Sequence, residues 1–155
     1  MKFNLTMRTI LDGLQISRTL TPSLKSIADS GFLQHDGCNI LRGLMVSTNT
    51  STSTFGDCTD YECFVNSLHI EDYDEKQPIL QAILFIERVF EIWNSAKQTI
   101  IITAILSADD FSVVVKFHTN RLGEQWLSDN INGYEDAVLS INSNEDIISL
   151  VHTTD

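Results

Sequence analysis

The sequence predicts an α+β fold: a mostly antiparallel sheet with one long helix, about 78–97, packed on a face, and a short N-terminal helix. Three observations predict it. Apolar anchors recur at helical spacing after Pro78, two β-rich runs flank the polar stretch 107–110, and no internal repeat or linker interrupts the order. At 155 residues the chain fits a single domain, 1–155, long enough to bury a core without staples.

In chain order, Phe3 to Thr9 and Leu14 to Arg18 alternate apolar and polar around Asp12-Gly13, a dipeptide that suits a type I′ turn, so an N-terminal β-hairpin is expected. The competing reading is a helix through Ile10, Leu11, Leu14 and Leu20, which Gly13 and two Thr disfavour. Thr21-Pro22 and Gly31 frame a short helix with Leu24, Ile27 and Ala28 inward. Asp36-Gly37 marks a turn, and Cys38 to Val46 reads as a strand weakened by Gly43. The Ser/Thr tract 47–54 has too little apolar surface to offset the ordering of its backbone, and an exposed loop is expected there.

Tyr61 to Ile70 reads as a strand. Pro78 then opens the long helix, with Ile79, Ile83, Ile86, Phe90 and Trp93 at steps of four and three and the acidic run Glu71 to Glu75 near its positive end. Thr99 to Leu106 and Phe111 to His118 form a hairpin, with Phe111, Val113, Val115 and Phe117 as the apolar side of the second strand. Ala137 to Ile141 is a short strand, and Ile147 to Val151 is a last turn of helix or strand.

The net charge is −11, and it is unevenly placed. Residues 1–56 hold five Lys/Arg against three Asp/Glu, and residues 57–155 hold five against eighteen. Such a surface repels phosphate backbones and anionic lipid, which argues against nucleic acid and membrane as partners and favours a basic protein. No stretch approaches the ~20 apolar residues of a membrane helix, and the first residues carry no export address, so a cytoplasmic protein is expected. Cys38, Cys58 and Cys63 match no zinc or redox spacing. They read as reduced thiols, with a Cys58–Cys63 disulfide as the alternative in an oxidising compartment.

No nucleophile elbow, phosphate-cradling glycine loop, HExxH helix or Cys/His cluster is present, so the chain reads as a non-enzyme with neither cofactor nor metal. His69 and His118 lie singly in different predicted strands, where structural histidines are commoner than functional ones. Asp109-Asp110 and Asp72/Asp74 offer hard oxygen ligands, but a turn and the start of a helix explain them more simply. What stands out is acid interleaved with aromatics. Glu71, Asp72, Asp74, Glu75, Glu124, Trp126, Asp129, Tyr134, Glu135 and Asp136 form the candidate partner-binding set, because acids steer a basic partner and rings supply desolvated contact area.

The stretches Cys63-Phe64-Val65-Asn66-Ser67-Leu68-His69-Ile70-Glu71-Asp72-Tyr73 and Gly123-Glu124-Gln125-Trp126-Leu127-Ser128-Asp129-Asn130-Ile131-Asn132-Gly133-Tyr134-Glu135 resemble segments of bacterial immunity proteins from contact-dependent growth inhibition and other polymorphic toxin systems. The resemblance implies a cytoplasmic protein that binds one cognate C-terminal toxin domain, often a basic nuclease, and neutralises it stoichiometrically. Two other readings remain open. One is a small-molecule-binding or enzymatic domain with a pocket between the long helix and the sheet, using His69 or His118. The other is a homodimer that buries the long helix's apolar excess.

Overall fold

The computed structural model describes residues 1–47, 55–96 and 99–153. Among them the order is β1 (Lys2–Phe3), α1 (Leu5–Asp12), β2 (Gln15–Ile16), α2 (Pro22–Asp29), β3 (Phe32–His35), β4 (Cys38–Leu41), α3 (Cys58–Val65), β5 (Ser67–His69), α4 (Pro78–Ser95), β6 (Ile102–Ala108), β7 (Val113–Thr119), β8 (Ala137–Asn142) and β9 (His152–Thr153). The fold is α+β, with a five-stranded sheet ordered β1-β8-β6-β7-β5 and antiparallel at every pairing. Two smaller pairs flank it: the β3–β4 hairpin and the parallel β2–β9 pair.

Helix α4 covers one face of this sheet. Proline at its first turn costs no hydrogen bond, and its buried side chains include Leu80, Ile83, Phe85, Ile86, Val89 and Phe90. Phe85 and Phe90 meet the Phe117 ring of β7 edge-on, with centroids 5.8 and 6.4 Å apart. This geometry suits the aromatic quadrupole. The indole N–H of Trp93 donates to the carbonyl of Ile100 at 2.8 Å, tying the helix end to the approach of β6. Asp74 orders the turn before the helix: its Oδ1 accepts the amides of Lys76 and Gln77 at 2.8 and 3.1 Å.

Several expectations need correction. The N-terminal hairpin is instead helix α1, capped by the Asn4 side chain, which accepts the Met7 amide at 3.0 Å. Gly13 has φ −95°, so Asp12-Gly13 is a helix end and not a turn that needs positive φ. The same Asn4 side chain accepts the amide of Val138 and donates to the carbonyl of Asp136, extending the edge of β8 beyond β1. The 61–70 strand is instead helix α3 followed by the short β5. Asp57 caps α3 through the amide of Asp60, and Tyr61, Glu62, Cys63 and Val65 are all buried. A short helix buried on several sides shows no apolar stripe, and alternation is then a false signal.

The strand from Cys38 ends at Leu41, and a 3-10 turn over Arg42–Ser47 follows. The long helix stops at Ser95, short of 97. Phe111 is not on the inward row with Val113, because β7 starts only at Val113 and Phe111 stands 90% exposed in the turn before it. The reduced-thiol expectation also fails: Cys38 and Cys58 are joined in a disulfide with Cα atoms 5.4 Å apart, and Cys63 is free and buried. The starts of β4 and α3 meet in a second small core of Cys38, Ile40, Tyr61 and Val65, whereas Cys58 and Cys63 ride on different sides of one helix. Residues 48–54 of the Ser/Thr tract lie outside the described residues.

Elsewhere sequence and structure agree. Helix α2 begins at Pro22, and Gly31 beyond its end has φ +70°. Asp36 and Gly37 both take positive φ in the β3–β4 turn. The β6–β7 hairpin and β8 fall within two or three residues of their expected bounds.

Candidate docking surface and cleft

The register of the sheet fixes where the acidic residues emerge. Ala108 pairs with both Val113 and Ala137, and His69 pairs with Val114, so the end of β5, the β6–β7 turn and the start of β8 share one end of the sheet. Glu71 and Asp72 follow β5, Asp109 and Asp110 lie in the turn, and Glu135 and Asp136 lead into β8. Topology therefore gathers six carboxylates from three distant stretches of sequence into one rim. Two of them, Glu71 and Asp109, also have internal duties. Glu71 Oε2 accepts the amide of Val113 at 3.1 Å, and its Oε1 lies 2.9 Å from Nδ1 of His69. Burial opposes ionisation of Glu71, but these hydrogen bonds outweigh it and hold the carboxyl below its ordinary range.

Asp74 and Glu75 sit at the approach to α4. Asp74 is held below the usual carboxylate range, first by the Gln77 amide, against partial burial, and further by the Lys76 amide and the charge of Arg18. Its side chain is largely enclosed and holds the turn that leads into α4. It has little left to offer a partner.

The remaining candidates lie elsewhere, on the sheet face opposite α4. There the cross-strand rows read Asn142–Thr103–His118 and Lys2–Ser140–Ile105–Lys116, polar positions apart from Ile105 on strands whose other side is apolar. The loop after β7 crosses this face from Asn120 to Glu135 and encloses a cleft of ≈ 230 Å³. Glu124, Trp126 and Asp129 line it from the loop, His118 and Asn120 from the sheet side. Tyr134 braces the loop, its hydroxyl accepting the amide of Ser128 at 2.9 Å. The indole of Trp126 has Lys116 Nζ 5.9 Å from its ring centre, a cation–π distance. Burial pushes the Lys116 ammonium below its ordinary range.

His118 is nine-tenths buried. Its Nδ1 lies 2.8 Å from the carbonyl of Thr119, which can only accept, so Nδ1 carries a proton. His69 is apart from it, exposed on the edge strand. The space between α4 and the sheet, where a pocket is the alternative expectation, is filled by the Phe85, Phe90 and Phe117 rings.

Sequence reasoning missed the residues that hold this surface in place. Glu62 of α3 is fully buried and accepts the amides of Asn39 and Thr119. It also takes a bidentate pair from Arg121, the residue where the loop leaves the sheet, at 2.7 and 2.9 Å. One turn on, Asn66 Oδ1 accepts the Leu41 amide, and its Nδ2 donates to the carbonyls of Asn39 and Phe117. The Asp57 cap was the one local signal of a helix there, and nothing local links Glu62 to Arg121.

The chain belongs to the uncharacterized protein PM0498 family, whose model matches residues 2–153. No curated protein and no solved structure matches the chain.

Proposed function

We propose that this member of the PM0498 family is a stoichiometric inhibitor, an immunity protein that binds a basic toxin domain and covers a surface that domain needs. The observation that supports it is the rim at one end of the sheet, where Glu71, Asp72, Glu135 and Asp136 meet Asp109 and Asp110. A field of one sign at one end of a molecule accelerates encounter with an opposite field and repels nucleic acid and anionic lipid. A nuclease toxin is basic because it must hold nucleic acid, so an acidic inhibitor exploits the same charge. Glu124, Trp126 and Asp129 in the cleft add an aromatic contact with carboxylates beside it.

Co-expression with a basic C-terminal toxin domain drawn from the neighbouring genes tests the reading. A one-to-one complex that protects cells supports it, and free passage of the two proteins through a sizing column rejects it. No helix among the described residues is long and apolar enough to cross a membrane. A cytoplasmic site of action goes with the inhibitor reading. The Cys38–Cys58 bond favours an oxidising compartment, but Glu62 and Asn66 hold the same two elements by hydrogen bonds if the thiols are reduced.

A second reading, binding of a small polar molecule, draws on one observation: the buried His118 lines the cleft, and its Nδ1 is fixed by the backbone. Shifts of the His118 and Trp126 ring resonances on titration with polar metabolites, with no protein partner bound, would favour that reading over the inhibitor.

A further inference from the structure

The β6–β7 turn carries an aromatic side chain that the core does not use. Between the paired residues Ala108 and Val113 the chain turns in four residues, and the third, Phe111, is 90% exposed. Isolated exposed apolar residues are common and need no explanation. Leu122, fully exposed in the turn after β7, is one of these. Phe111 differs in how it is held. Asp109 Oδ1 accepts the amide of Phe111 at 2.8 Å, the amide of Ser112 at 2.7 Å and the Ser112 hydroxyl at 3.1 Å. The amide of Asp109 closes the turn by donating to the carbonyl of Ser112 at 3.0 Å. Little backbone freedom is then left to lose when the ring is buried against a partner, so a contact made by this ring keeps more of its binding energy than one on a loose loop.

Its surroundings select the partner. Asp110 precedes it, Glu71 binds the amide of Val113 just beyond the turn, and Glu135 and Asp136 stand at the same sheet end. A second copy of this chain would bring the same charges and be repelled, as would an anionic membrane or nucleic acid. A basic protein surface with an apolar socket is complementary in both respects.

We propose that Phe111 is the anchor of the docking surface, a ring preset by Asp109 that enters an apolar socket on a basic protein partner while the surrounding carboxylates meet its cations. The inference rests on the inhibitor reading and deepens it, because a single buried aromatic at the centre of a charged rim is the arrangement in which a few residues carry most of the affinity. Asp109 is a positioning residue. It acts through the ring and not by contact of its own.

The test measures binding of the purified basic toxin domain used in the co-expression test to this chain and four variants. F111A should weaken Kd by roughly thirtyfold or more, chiefly through faster dissociation, and the loss should persist at high salt. L122A should stay within about twofold of wild type, since a lone exposed side chain outside a hot spot contributes little. D109A should weaken binding, and D109N, which keeps the Oδ1 acceptor, should restore most of it. Phe111 is exposed, so F111A should leave the urea midpoint unchanged, which separates lost contact from lost fold. A complex that F111A leaves intact, or that L122A weakens as much, overturns this inference and spares the inhibitor reading. Failure of the wild-type chain to bind the domain overturns both.

Discussion

Glu62 and Arg121 form a bidentate ion pair, 2.7 and 2.9 Å, that joins helix α3 to the point where the long loop leaves β7. Glu62 has no solvent exposure, and the arginine side chain keeps about a fifth of its own, so the pair closes the interior at that corner. The hydrogen bonds raise the Arg121 guanidinium above its already high ordinary value, against partial burial.

Removing one partner of such a pair leaves an uncompensated buried charge. R121A should therefore destabilise the protein by about 3–5 kcal/mol, read as a shift of the urea unfolding midpoint. E62Q/R121M should recover part of the loss, because glutamine still accepts one of the amides of Asn39 and Thr119 while the buried charge is gone.

Cys63 is predicted to be inert. Burial, with the charges of Glu62, Asp60 and Asp57 assisting and Lys116 opposing, pushes its thiol up to about 12. The thiolate is the reactive form. Mass spectrometry after iodoacetamide treatment of the native, non-reduced protein should find no adduct, and treatment of the unfolded, non-reduced protein should find one, on Cys63.

The Cys38–Cys58 bond spans a sequence separation of 20 residues. In the chain-entropy account a loop of that size contributes about 3 kcal/mol by restricting the unfolded state. The C38S/C58S variant should lose stability of that order while its circular dichroism stays that of the folded sheet, because Glu62 and Asn66 still connect α3 to β4. Global unfolding of that variant at room temperature would contradict this.

Asp109 is held below its ordinary value, first by the amide of Phe111 and then by that of Ser112. A carboxyl whose folded value is depressed adds stability that is fully present above its unfolded value, about 3.9, and is lost as pH falls through the lower folded value. The turn should therefore hold its structure at neutral pH and loosen only in acid below about pH 4. The amide resonances of Phe111 and Ser112 should report that transition together, and D109N should abolish it.

How much of this was legible in the sequence depends on how each segment is packed. Helix α4, β6, β7 and β8 announce themselves because α4 is long enough for its apolar anchors to recur at the helical period, and the strands are largely apolar runs rich in β-branched residues. Helices α1 and α3 do not. Eight residues hold barely two turns, and α3 is enclosed by β4, β7 and the loop after it, so Glu62 is buried as deeply as Cys63. Asn4 and Asp57 signal both helices as caps, and only that chemistry distinguishes them from strands. Among the site residues, the sequence singles out Glu71, Asp72, Glu135 and Asp136 of the acids at the sheet end but reads Asp109 and Asp110 only as a turn; Asp74 is occupied by the turn before α4, and strand alternation, which would put Phe111 inward, does not extend past the start of β7. The Glu62–Arg121 pair spans 59 residues, a separation at which no local pattern carries information.

The most direct test of the account is the salt dependence of association between this chain and the proposed partner, a basic toxin domain, compared with a variant carrying D72N, D110N, E135Q and D136N. These four carboxylates make no hydrogen bond among the described residues, unlike Glu71, Asp74 and Asp109, so the variant should keep its stability. Between about 10 mM and about 1 M ionic strength the screening length shrinks from about 30 Å to about 3 Å. The account predicts a wild-type on-rate that falls by roughly tenfold or more over that range and a variant on-rate that is already low and nearly flat. Equal on-rates for the two proteins at low salt would contradict it.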